Sequence, residues 1–88
     1  MSISHYVILY NVFMGGVMMR LRDLREDNDL TQSEVARLLN VRQNTYSQYE
    51  NGQRQIPIDA LILLAKFYHT STDYLLDLTD ERKPYPSK

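Results

Sequence analysis

Residues 43–52, QNTYSQYENG, concentrate hydrogen-bonding side chains. The amides Gln43, Asn44, Gln48 and Asn51 and the hydroxyls Thr45 and Ser47 fall within ten positions. An amide donates and accepts at once, so it can bind a flat edge that offers one donor and one acceptor. It supplies no nucleophile and no proton transfer. The sequence supplies none elsewhere either: no nucleophile–base motif, no glycine-rich phosphate loop and no metal-ligand spacing is present. The two histidines, His5 and His69, are far apart and lack ligand spacing. The absence of cysteine excludes disulfides and thiolate zinc sites. No catalytic residue, metal or cofactor is expected, and the chemistry on offer is recognition.

The rest of the chain must position these groups. Its 88 residues make one small domain with a modest core. Hydrophobic residues at 43% and charged residues at 24% are ordinary for a globular chain. Residues 18–78 have helical periodicity throughout. A first helix over 18–28 lines Met18, Leu21 and Leu24 on one face. The second begins at Thr31, where Thr31-Gln-Ser-Glu34 has the form of a capping box. Val35, Ala36 and Leu39 are its buried stripe. Asn40 follows, a residue type that tolerates the left-handed backbone of a sharp turn. The third helix, 42–50, places Tyr46 and Tyr49 opposite a face formed by Gln43, Asn44, Ser47 and Gln48, and Asn51-Gly52 stops it. Pro57 opens a fourth helix with Leu61, Leu64, Ala65 and Tyr68 at i, i+3, i+4 and i+7. A short fifth helix starts near Ser71 or Thr72 and carries Leu75 and Leu76. Only about three residues around Asn40 separate the second and third helices, which fits helix-turn-helix geometry.

Two flanking segments complete the expected organisation. Residues 79–88 form a charged, proline-bearing tail expected to be flexible. Residues 1–17 are an apolar extension, β-branched and aromatic up to Gly15-Gly16, and read as a short strand. Three readings of it stand open. It pairs as a strand with its copy in a second subunit, or it packs on its own domain, or it is a non-native leader. The last comes from MGGVMM: Met-Gly-Gly can be encoded by codons holding a ribosome-binding sequence just before Met18 and Met19. The apolar run 6–14 has no basic residues before it and no cleavage site after it, and is too short to span a bilayer. A cytoplasmic, nucleoid-associated protein without membrane contact is expected.

The run TQSEVARLLNVRQNTYSQYENGQRQIPIDALILLAKFYHTSTDYLL resembles the helix-turn-helix domain of lambda-type phage repressors and the XRE family of bacterial regulators. The resemblance covers about 20–78. Gln32 opens the second helix, and Ala36 is small where two helices cross. Val35, Leu39, Val41, Tyr46 and Tyr49 sit at the family's apolar positions. Y-E-N-G closes the third helix, L-x-x-L-A marks the fourth, and D-Y-L-L closes the domain. One departure is Asn40, where the family usually has glycine; asparagine suits that backbone next best. The resemblance implies an all-α, five-helix lambda-repressor-like domain whose third helix lies in the major groove of double-stranded DNA. Amides there pair with adenine and arginine with guanine. Gln43, Asn44 and Gln48 match the family's base-reading positions. Ser47 shares their face, and Arg42 and Thr45 are close enough to reach a base or phosphate. Gln32 matches a family phosphate contact at a helix N-terminus, and Asn51, Gln53 and Arg54 are further phosphate candidates. Arg25 and Glu50 match a structural ion pair of the family.

The net charge of −1 argues mildly against a polyanionic partner, but its distribution softens this. Between Thr31 and Pro57 stand Arg37, Arg42 and Arg54 against Glu34 and Glu50, while acids collect in 23–29 and 73–81. The reading is a dimeric, sequence-specific transcriptional regulator, most simply a repressor. Two rivals accompany it: an antitoxin that represses its own operon and binds a toxin, and an interaction module without DNA binding. No small-molecule ligand is expected, since no segment for an effector domain follows the fifth helix.

Overall fold

The computed structural model describes residues 19–86. Among these residues there are five helices and no strand: α1 Met19–Asp27, α2 Gln32–Leu39, α3 Gln43–Glu50, α4 Ile58–Phe67 and α5 Thr72–Leu75. The strand expected within 1–17, and Met18 of the first helical stripe, lie outside the described residues.

Every one of these helices ends by the same device. A residue with positive φ is followed by an N–H that donates to the carbonyl five positions back. Asp29 (φ 55°) precedes Leu30 N–H to Arg25 O, and Asn40 (φ 58°) precedes Val41 N–H to Ala36 O. Gly52 (φ 73°), His69 (φ 54°) and Asp77 (φ 63°) precede the matching bonds of Gln53 to Gln48, Thr70 to Ala65 and Leu78 to Asp73. Only one of the five positions is glycine. Asn and Asp reach the left-handed region at modest cost, because their short polar side chains bond locally. His69 is another of the residue types enriched there. The repeated stop keeps each helix to ten residues or fewer.

The short helices gain little stability alone and depend on a shared core. Leu21 and Leu24 of α1, Val35 and Ala36 of α2, and Tyr46 and Tyr49 of α3 are buried in it. Ile56, Leu61, Leu64, Ala65, Tyr68 and Leu75 complete it from the C-terminal half. Tyr46 and Tyr49 meet edge to face, with centroids 6.4 Å apart and planes at 88°. Helix α3 packs against α2 and α1, α4 packs against α5, and α5 returns to α1.

That return is secured by Arg20. Its guanidinium lies over the Tyr74 ring, 4.0 Å from the centroid. It donates to the carbonyls of Tyr74 (3.3 Å) and Thr79 (3.1 Å) and forms ion pairs of 2.9 Å with Asp77 and Asp80. A half-buried arginine stacked on an aromatic face holds its geometry well. In the tail, the Tyr85 hydroxyl donates to Asp73 at 2.8 Å.

Candidate nucleic-acid interface

Helices α2 and α3 are joined by three residues, Asn40, Val41 and Arg42. Thr31 caps α2: its hydroxyl accepts from Glu34 N–H at 3.1 Å, while the Glu34 carboxylate accepts from Thr31 N–H at 3.0 Å. The bond from Thr31 N–H foremost, and the nearby Thr31 hydroxyl second, hold the exposed Glu34 carboxyl below its usual pKa. At the other end Asn40 adopts φ 58°, ψ 43°, and the chain reverses without glycine. Val41 is half-buried against the core, and Arg42 is the exposed N-cap residue of α3.

The inward side of α3 is anchored by charge as well as packing. Glu50 is 1% exposed and accepts two bonds from Arg25, Nε to Oε2 at 2.7 Å and Nη2 to Oε1 at 3.2 Å. A third bond, from Gln32 Nε2 to Glu50 Oε1 at 3.2 Å, ties in the start of α2. Arg25 also donates to Leu30 O at 2.9 Å, so α1, its following turn, α2 and α3 meet at one buried carboxylate. Burial pushes the Glu50 pKa up. The bonds from Arg25 and Gln32 and the nearby Tyr46 hydroxyl, with the charge of Arg25, outweigh burial and hold it below the ordinary carboxylate value. The Tyr46 hydroxyl is thus close enough to act on Glu50, yet it has no hydrogen bond of acceptable geometry. Burial first, and Glu50 second, raise the Tyr46 pKa far above its usual value.

The outward side of α3 carries the amides. Gln43 and Asn44 are exposed, and Ser47 and Gln48 are half-exposed. Three of these four side chains already have a neighbour. Ser33 on α2 donates to Gln43 Oε1 at 3.0 Å, and Asn51 Nδ2 donates to Ser47 Oγ at 3.5 Å. Arg54 Nε donates to Gln48 Oε1 at 2.9 Å. The backbone sets up the last contact: Gln48 O accepts from both Gln53 N–H (2.9 Å) and Arg54 N–H (3.3 Å), which folds the loop back onto α3. Arg54 and Gln53 therefore stand beside the outward face and are exposed. Thr45 lies at its edge, half-buried. Gln32 sits at the first position of α2 and spends one amide hydrogen on Glu50.

The structure thus collects Arg42, Gln43, Asn44, Ser47, Gln48, Asn51, Gln53 and Arg54 along the exposed side of α3 and its two turns. Gln32 lies apart from them in its bonding, at the joint with Glu50. Ser33 is not among the residues expected from the sequence, although it donates to Gln43 and orients it. A signal existed: a hydroxyl in the first turn of α2 lies near the first residue of α3 whenever the connecting turn is tight.

A protein-family model described as helix-turn-helix matches residues 21–75. The chain belongs to the XRE-type helix-turn-helix family. Relatives match over stretches of similar length. An uncharacterized HTH-type transcriptional regulator, YobD, of Bacillus subtilis is 38% identical over 65 residues, covering 74% of this chain and 58% of the relative. The cryptic phage CTXphi transcriptional repressor RstR of Vibrio cholerae is 45% identical over 49 residues, 56% of this chain and 44% of the relative. The antitoxin PezA of Streptococcus pneumoniae is 30% identical over 63 residues, 72% of this chain and 38% of the relative. The chain spans about half the length of the relatives it matches. No solved structure matches it. No helix among the described residues is long and apolar enough to cross a membrane.

Proposed function

We propose that the chain is a sequence-specific transcriptional regulator that binds double-stranded DNA as a homodimer, with α3 in the major groove. The observation that carries this reading is the outward face of α3, four hydrogen-bonding side chains on a helix held rigidly by a buried ion pair. Such rigidity suits base reading, because the entropy of orienting the helix is lost in folding and not on binding. Gln43, Asn44, Ser47 and Gln48 face base edges, and Arg42 and Thr45 reach bases or phosphates at the near end. Asn51, Gln53 and Arg54 follow the backbone, and Gln32 presents its remaining amide hydrogen to a phosphate at the start of α2.

The bonds inside the site refine those roles. Gln43 and Gln48 each have the carbonyl oxygen engaged, by Ser33 and by Arg54. Each presents its amide nitrogen outward as a donor, and each must accept a second donor on the same oxygen to bind adenine in two-pronged fashion. Arg54 carries further donors beside Gln48 and favours acceptors such as phosphate oxygens.

Repression is the simplest mode for a domain that occupies an operator. A dimer matches two half-sites about one helical turn apart. A gel-shift series on duplexes selected from a random pool tests the reading. Retardation of selected duplexes that weakens steeply with salt is expected; no retardation of any duplex at low salt would refute it. The likeness to an antitoxin supports a second reading, in which the chain also binds a toxin. Co-purification with the product of a neighbouring gene tests that.

A further inference from the structure

Helix α4 turns Leu61, Leu64 and Ala65 into the core, and its other side is exposed among the described residues. Four of the six large apolar side chains exposed among the described residues lie there: Ile58 (63%), Ile62 (40%), Leu63 (40%) and Phe67 (45%). The only other exposed residues of the helix are Asp59 and Lys66. Among the described residues neither charge has an ion-pair partner. They stand about two helical turns, roughly 10 Å, apart and within about 20° of one another around the axis, too far to pair within the helix.

The six positions are symmetric about the midpoint between Ile62 and Leu63. Asp59 and Lys66 are equidistant from it, as are Ile58 and Phe67. We propose that this face of α4 packs against the same face of a second copy of the chain, antiparallel across a two-fold axis level with Ile62 and Leu63. Asp59 of one copy then lies opposite Lys66 of the other, twice over. Ile62 and Leu63 meet their counterparts at the axis, and Ile58 of one copy comes level with Phe67 of the other. A parallel pairing is disfavoured, since it sets Asp59 against Asp59 and Lys66 against Lys66. A foreign partner would explain an apolar face, but not its self-complementary arrangement of charge, which is the mark of an isologous contact.

A face of one ten-residue helix is smaller than the roughly 800 Å² per partner of standard interfaces, so the free dimer is weak. Two adjacent half-sites would strengthen it by raising the effective concentration of the second subunit. The proposal rests on the dimeric part of the function above and is independent of which bases are read, so its test uses no DNA.

Sedimentation equilibrium of the full chain at low salt, up to about 1 mM, a range that detects Kd values in the millimolar region, gives the association constant. The wild type dimerises. Asp59→Lys and Lys66→Asp each weaken the dimer about tenfold, because two attractive pairs become repulsive. The two combined restore it to within about threefold, since the charges have only exchanged places. Ile62→Glu gives a monomer with unchanged circular dichroism. A wild type that stays monomeric overturns the proposal and leaves residues 1–18 or another protein to cover α4. A dimer that survives Ile62→Glu, or a charge exchange that fails to rescue, also overturns it. A sound dimer that retards no duplex would count against DNA binding and leave this interface standing.

Discussion

The two sides of α3 are built by different rules. On the inward side Tyr46, Tyr49 and Glu50 are all at most 4% exposed, and Glu50 is held by bonds from two other elements. On the outward side Gln43, Asn44, Ser47 and Gln48 keep contact with water, and each recorded side-chain bond is single and exposed. A buried charge that loses its partner keeps its full desolvation cost, whereas an exposed amide that loses a bond is solvated at once. Eight residues therefore hold both the joint that makes the domain rigid and the surface that such rigidity serves.

Substitutions should separate the two sides. Arg25→Ala leaves Glu50 buried and unpaired and should cost about 3–5 kcal/mol of stability. Urea unfolding reads this directly, and a loss under about 1 kcal/mol would break the contrast. Gln43→Ala should leave stability within about 0.5 kcal/mol while reducing discrimination at one base position by about 1–3 kcal/mol. Parallel unfolding and duplex selection check both halves. Arg54→Ala should weaken every duplex and lower the salt slope by about one, with any change in base preference confined to the position read by Gln48, which loses its bond from Arg54. Ser33→Ala is expected to have the smallest effect, a modest loss of selectivity at the Gln43 position alone, seen by competition between duplexes.

Acid and alkali probe the buried groups Glu50 and Tyr68, and acid also reaches the capping carboxylate Glu34, which titrates below its usual value. Because the folded Glu50 titrates below the ordinary value of 4.5, its contribution is complete above about pH 4.5. It is lost as pH falls through the depressed folded value. Glu50→Gln should flatten the acid limb of the stability curve, measured by unfolding between neutral and low pH. At the other end, burial and then Glu50 push the Tyr68 phenol from 10.0 up to about 12. Its neutral form stabilises the fold fully below pH 10.0, and this support disappears as pH rises toward about 12. Alkaline unfolding should begin in that window, and Tyr68→Phe should move its onset upward.

How much of this was legible beforehand follows from the range of each interaction. The capping box at Thr31, the left-handed turn at Asn40 and the stop at Asn51-Gly52 depend on residues at most a few positions apart, so local chemistry identifies them. The division of α3 into two faces follows from helical periodicity alone. Contacts across the fold were legible only where the family resemblance supplied them, as for the Arg25–Glu50 pair, whose atoms meet at 2.7 Å. Periodicity tells which side a residue faces, not what stands opposite. The bond from Gln32 to Glu50, the Ser33–Gln43 pair and the stacking of Arg20 on Tyr74 each join residues ten to 54 positions apart.

By itself, then, the sequence determined the helices, the ends of α2 and α3 and the polar character of α3's outer side, because these are set by backbone preference and repeat. Tertiary structure alone decided which amide atoms remain free and which carboxylate is buried. It also decided that α4 presents an apolar, charge-matched face. Those outcomes depend on how separate helices meet in space, where a shift of one side chain changes which donor finds which acceptor.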